Sequence, residues 1–215
     1  SQVKLLQYLK GDGNDIYYLK VLQYAIINSR LSTVSMLLAA DKRIKIKNKS
    51  TDTTLLHDAA QKCIDVAKLL LNRGANIELR NNEDETPLHV AALFGNADVT
   101  KLLLARGANI EAKQNTGHTP LYYAALCGNT DAANWLLDQR SNMKANKENT
   151  RHHLTTLNGK ADVAKLLLDQ GANIEAKGDD NETALHVTAW LGNADAAKLL
   201  LNRGADIEAK DNTSE

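Results

Sequence analysis

Aromatic residues are scarce in this 215-residue chain, at 4%, and Phe94 is its single phenylalanine. A large round interior usually leans on bulky rings, so their scarcity points to a thin core of Leu and Ala. Proline occurs twice, and cysteine only as Cys63 and Cys127. Two cysteines make no disulfide framework and indicate a reducing, cytoplasmic setting. Excess charge is absent as well: 26 Lys+Arg balance 26 Asp+Glu, which argues against a dedicated nucleic-acid binder. No apolar run reaches the roughly 18–20 residues that span a bilayer, so no membrane insertion is expected. The opening Ser1-Gln2-Val3-Lys4 lacks the charged-then-apolar order of a signal peptide. There is no Gly-rich phosphate loop, H-E-x-x-H, G-x-S-x-G or C-x-x-C pattern. No catalytic residue, metal site or cofactor is therefore expected.

What the chain does have is self-similarity. Thr86-Pro87-Leu88-His89-Val90-Ala91-Ala92 returns as Thr119-Pro120-Leu121-Tyr122-Tyr123-Ala124-Ala125 and as Thr183-Ala184-Leu185-His186-Val187-Thr188-Ala189. Thr54-Leu55-Leu56-His57-Asp58-Ala59-Ala60 is an earlier copy, and Thr150-Arg151-His152-His153-Leu154-Thr155-Thr156 a degraded one. The fourth position falls at 57, 89, 122, 153 and 186, steps of 32, 33, 31 and 33. A second motif keeps phase with it: Leu69 to Glu78 returns at 102–111, 166–175 and 199–208.

Each copy reads as a helix pair. Thr before Pro starts a helix, because the Thr side chain caps free amides and Pro fits the first helical position. The Ala-Ala pair lets a second helix approach closely. Gly95-Asn96 and Gly128-Asn129 break the first helix. Val99, Leu102 and Leu103 then give the second one apolar face, and Gly107 stops it in a left-handed conformation. One such pair cannot bury its apolar face alone, so the pairs must stack into a single elongated domain. If stacked helices lie roughly 10 Å apart, Cys63 and Cys127 stand two periods, about 20 Å, from each other, too far for a disulfide.

The two motifs and their period resemble the ankyrin repeat family. The resemblance covers nearly the whole chain: a half-repeat at 1–17, then repeats at about 18–50, 51–82, 83–115, 116–146, 147–179 and 180–212. It implies an all-α solenoid with β-hairpin or loop fingers. It also implies that His57, His89, His153 and His186 bond backbone between neighbouring turns rather than a ligand. Trp135 aligns with Leu102 and is expected in the core.

The resemblance further implies a protein partner, held by the finger tips and the concave side of the first helices. The matching pairs are Gln61-Lys62, Leu93-Phe94, Leu126-Cys127, Leu157-Asn158 and Trp190-Leu191. Four of these five carry a large apolar residue, and with Val90, Tyr123 and Val187 they suggest an apolar ladder. Burial against the neighbouring helix is the competing reading. The fingers carry charge: Lys42 to Lys49 holds five basic residues in eight, including Lys45, Lys47 and Lys49. Glu83-Asp84-Glu85 and Asp179-Asp180-Asn181-Glu182 are acidic tips. Steering of a complementary partner and plain solvation both account for them. The expected function is a non-enzymatic interaction scaffold. The alternative is the targeting or regulatory array of a larger enzyme or secreted effector, which would act in a host cytosol. The last repeat shows no polar redesign of its outer face, so a piece of a longer array, cut at both ends, is expected, with self-association through the uncapped ends as a second expectation.

The array departs from its pattern at one junction. Arg140 replaces the stop glycine, at a cost of about 1 kcal/mol if it turns left-handed. Arg151 and His152 replace Pro and Leu, and Thr155-Thr156 replace Ala-Ala. Polar groups at stacking positions weaken the stack. Outside the terminal repeats, amide hydrogen exchange should be fastest over residues 140–158. Uniform protection across that stretch would refute the reading.

Overall fold

A computed structural model describes residues 15–40, 54–142, 161–178 and 180–212. They form eleven helices: α1 (Asp15–Ile27), α2 (Leu31–Ala40), α3 (Leu55–Lys62), α4 (Ile64–Asn72), α5 (Pro87–Leu93), α6 (Ala97–Ala105), α7 (Pro120–Cys127), α8 (Thr130–Asn142), α9 (Ala161–Asp169), α10 (Ala184–Trp190) and α11 (Ala194–Asn202). The helices stack in two rows. In one, α1, α3, α5 and α7 pack each against the next; in the other, α2, α4, α6, α8, α9 and α11 do the same. Each first-row helix also packs on the helix that follows it, as α5 does on α6 and α10 on α11. This is an all-α solenoid. Helices this short are marginal in isolation, so the packing between them supplies their stability.

The core is as thin as the composition suggests. Ala59-Ala60, Ala91-Ala92 and Ala124-Ala125 are fully buried where first-row helices meet their neighbours. Val99 and Leu103 of α6 are buried, as are Val66 and Leu70 of α4 and Val163 and Leu167 of α9. Leu102 is only half-buried. Trp135 aligns with it and is half-buried too, so it is not a core residue. Its ring lies under the Lys101 ammonium, 4.4 Å from the centroid. The interior position is the next one along, Leu136.

The ends of the helices follow the residues that flank them. Thr54, Thr86, Thr119 and Thr183 stand in extended backbone before α3, α5, α7 and α10. Asn96 accepts a hydrogen bond from the Val99 amide at 3.2 Å, and Asn193 one from Ala196 at 3.3 Å, starting α6 and α11. Gly107 ends α6 with φ 85. Helix α8 has no such stop. It runs for 13 residues, where α6, α9 and α11 have nine. Arg140 therefore stays helical, and the left-handed strain expected of it is avoided. Beyond Asn142, the irregular junction with His153 and the Leu157-Asn158 pair lies outside the described residues.

The fingers are successive turns rather than β-hairpins among the described residues. In three of them an amide donates to the carbonyl four residues on: Asn81 to Glu85 and Gln114 to His118 at 3.0 Å, and Gly178 to Glu182 at 2.9 Å. Asp84, Gly117 and Asn181 take φ 62, 85 and 60 at equivalent places near the tips. Asp and Asn are the side-chain-bearing residues that enter this region most readily.

Neighbouring helix pairs are also strapped side chain to backbone. Asn129 Nδ2 donates to the Ala92 and Leu93 carbonyls at 2.7 and 2.9 Å, satisfying the open C-terminal end of α5. Gly95 lies beneath this strap with φ 68, and a Cβ there would stand 2.6 Å from Asn129 Oδ1. Gly192 has the same φ of 68 with nothing within 4 Å. Gly192→Ala should thus cost only the left-handed penalty, about 1 kcal/mol, and Gly95→Ala measurably more. Urea unfolding of the two variants checks this; equal losses would show that the strap contributes nothing.

Candidate functional site

First-row helices begin with the same polar device. The Thr54 amide donates to His57 Nδ1 at 3.2 Å, and the Thr54 hydroxyl lies 2.7 Å from the same nitrogen. Thr86 and His89 repeat this at 3.1 and 2.8 Å, and Thr183 and His186 at 3.2 and 2.9 Å. A backbone N–H can only donate, so Nδ1 is the acceptor and the proton sits on Nε2. That nitrogen then donates across to the next finger: His57 to the Glu85 carbonyl at 2.9 Å, His89 to the His118 carbonyl at 3.2 Å. For His186 the corresponding position lies outside the described residues, as does His153 itself. His57 and His89 thus tie each helix start to the following unit, and their nitrogens are taken up by the fold.

Unit four departs from this. Tyr122 stands in the histidine's place and stacks on His118 at 3.6 Å, its rings within 6° of parallel. Thr119 Oγ1 instead accepts directly from the Tyr122 amide at 3.4 Å. In α1 the equivalent residue is Gln23, whose Nε2 donates to Asp58 Oδ2 at 2.9 Å. Burial pushes the Asp58 carboxyl up from its ordinary range, and the Gln23 bond offsets part of that.

The apolar ladder is in part exposed and in part structural. Phe94 is 52% exposed, Trp190 85% and Leu191 40%. Leu93, Leu126, Tyr123 and Val187 are half-buried, and Cys127 is exposed. Leu93-Phe94 and Leu126-Cys127 stand at the same point of α5 and α7, which stack on one another, and Trp190-Leu191 hold that point of α10. Val90 does not belong to it: at 5% exposure it is packed into the core. Both cysteines are free thiols. The row also extends to α1, where Tyr24 and Ile27 are exposed. Ser29 reveals this register: it takes φ 53 at the place of Gly95, so Tyr24 and Ile27 match Val90 and Leu93.

Tyr123 is held from several sides. Its ring meets His89 and Tyr122 edge-on, each at 5.9 Å. Burial, and then the hydrogen bond its hydroxyl makes to the Glu85 carboxylate, push the phenol well above its usual range. At the tips, Glu83 and Asp180 are exposed. Asp84 pairs with Arg80 at 2.8 Å, and the same guanidinium nitrogen reaches the Lys113 carbonyl at 2.6 Å. Lys45, Lys47, Lys49 and Asp179 lie outside the described residues.

A family model described as "Ankyrin repeats" matches in three copies, over residues 1–81, 74–149 and 139–211. The chain belongs to the ankyrin repeat family. None of the curated proteins compared with it is a match. Ankyrin repeats are in general protein–protein interaction modules. No helix among the described residues is long and apolar enough to cross a membrane.

The histidine relay makes stability depend on pH. Burial lowers His89 from 6.5 to about 4. The native state holds it neutral, so its contribution is complete above about pH 6.5 and drains away as pH falls towards 4. At about 1.4 kcal/mol per unit the loss is at most about 3.5 kcal/mol. Urea midpoints measured from neutral pH downward should fall through this window. His89→Gln should be less stable at neutral pH and show a shallower acid decline; an identical decline would rule His89 out as a source.

Proposed function

We propose that this chain is a non-enzymatic scaffold, acting in the cytoplasm, that grips a partner protein along the concave face of its first-row helices. The observation that carries the reading is the exposure of Phe94, Trp190 and Leu191 in one repeated row, beside half-buried Leu93, Tyr123 and Leu126. Large apolar side chains left in water are costly, and aromatic ones are favoured binding anchors. Glu83, Asp84 and Asp180, with Asp179 and the basic Lys45, Lys47 and Lys49, would act at the finger tips by steering approach, which bears mainly on association rate.

Binding and folding use different residues in this arrangement, so they should separate. A partner retained by the wild-type chain should lose at least about tenfold in affinity with Phe94→Ser/Trp190→Ser, as anchor residues do. Unfolding free energy should move by only about 0.5 kcal/mol, because both side chains face solvent. Undiminished affinity in a folded double variant would overturn the groove reading.

A further inference from the structure

Asp58 stands in α3 where α5 has Val90, α7 has Tyr123 and α10 has Val187. It is 7% exposed, so a carboxylate is buried at a place the other described units give to an apolar or aromatic side chain. Its partner is Gln23, whose Nε2 donates to Oδ2 at 2.9 Å. Among the described residues no group is bonded to Oδ1. Gln23 lies on α1, which packs on α3, so this bond spans the contact between the first helix pair and the second. Later contacts are made otherwise: His57 and His89 donate to neutral backbone carbonyls. Gln23 holds the imidazole's place in α1 and donates to an anion instead.

Among the described residues no counter-charge neutralises that anion. Lys62 lies one turn along α3 and is exposed, as are Lys20 on α1 and Asp65 and Lys68 on α4. Asp15 opens α1. His57 and His89 are buried and bonded to their threonines. None of these forms an ion pair with Asp58. Burial is the largest influence on the carboxyl and raises it, and the Gln23 bond offsets only part of that. An uncompensated charge inside an interface weakens the interface. A neutral carboxyl would not, because an amide carries both a donor and an acceptor. Gln23 Nε2 can keep its bond to one carboxyl oxygen while Oε1 accepts the proton of the other.

We propose that the contact between α1 and α3 is a proton-operated joint: with Asp58 ionised the first helix pair sits loosely on the second, and a proton on Asp58 clamps it through a doubled bond to Gln23. The native carboxyl titrates above its ordinary value of 3.8, so the joint is tightest below that pH and loosens as pH rises through the native value. His89 acts in the opposite sense, losing its contribution as pH falls.

Amide hydrogen exchange of the full chain, Asp58→Asn against wild type, tests this. Asn keeps the shape, removes the charge and pairs with Gln23 as the acid does. At neutral pH the amides of α1 and α2 should exchange at least about fivefold more slowly in the variant, while those of α5 and α6 change little. That gap should narrow as pH falls towards 3.8, where wild-type Asp58 takes up its own proton. Comparing the two chains at each pH removes His89, which both share. Adding Gln23→Leu to Asp58→Asn should abolish the gain. Equal or faster exchange of α1 and α2 in Asp58→Asn at neutral pH would overturn the proposal. So would a slowing spread evenly over all helices, a gap that stays constant with pH, or a gain that survives Gln23→Leu.

Discussion

Among the described residues, two neighbouring units are joined to the next through an imidazole that accepts at one nitrogen and donates at the other. His57 and His89 each take the amide of the Thr three residues before and give a proton to a carbonyl of the next finger. The first bond closes a helix start; the second fixes where the neighbouring unit sits. A single neutral hydrogen bond of this type is worth only about 0.5–1.5 kcal/mol net. A buried carbonyl or amide left without its partner costs more, so the pairing acts chiefly by excluding alternatives. The alanine pairs can then meet closely because the spacing has been set by polar groups beside them. Where the imidazole is missing, other chemistry takes over: Gln23 reaches the Asp58 carboxylate, and Tyr122 stacks on His118.

Much of this was legible from residues alone. The period, the Thr starts and the glycine stops depend on local backbone rules, and those need no knowledge of neighbours. The features that escaped are those made between units. Nothing around Asn129 signals that its amide would reach the Ala92 and Leu93 carbonyls across to the preceding pair. Glu78 accepting from the Asn109 amide at 2.8 Å, and Glu175 from Asp206 at the same distance, belong to the same class. Both glutamates recur in the repeated motif, so the signal was present without its meaning. Tyr24 and Ile27 were not counted with the row, although Leu22-Gln23-Tyr24-Ala25 stands within the place of the Thr-Pro-Leu-His-x-Ala motif and sets the same register. Val90 was misplaced for a different reason: a repeated position need not have a repeated exposure, since the neighbour above it differs. At Arg140 the fault was in the assumption that the helix must stop there; the chain simply continues it.

The division of labour explains why such an array suits recognition. The residues that set spacing, Thr, His, Gly and the buried Ala, leave the ends of the first-row helices and the finger tips outside the core. Gln61, Leu93, Leu126 and Trp190 share one place in the repeat yet differ in size and polarity. Change there alters what the surface offers and leaves the stack intact. Ankyrin repeats are in general protein–protein interaction modules.

Of the two thiols, Cys63 is sealed in the interior whereas Cys127 stands open at the end of α7, in the place that Phe94 holds on α5. A maleimide dye would therefore have one native attachment point on this row, with no mutation required. Its emission would report when that row becomes occupied, and at what speed.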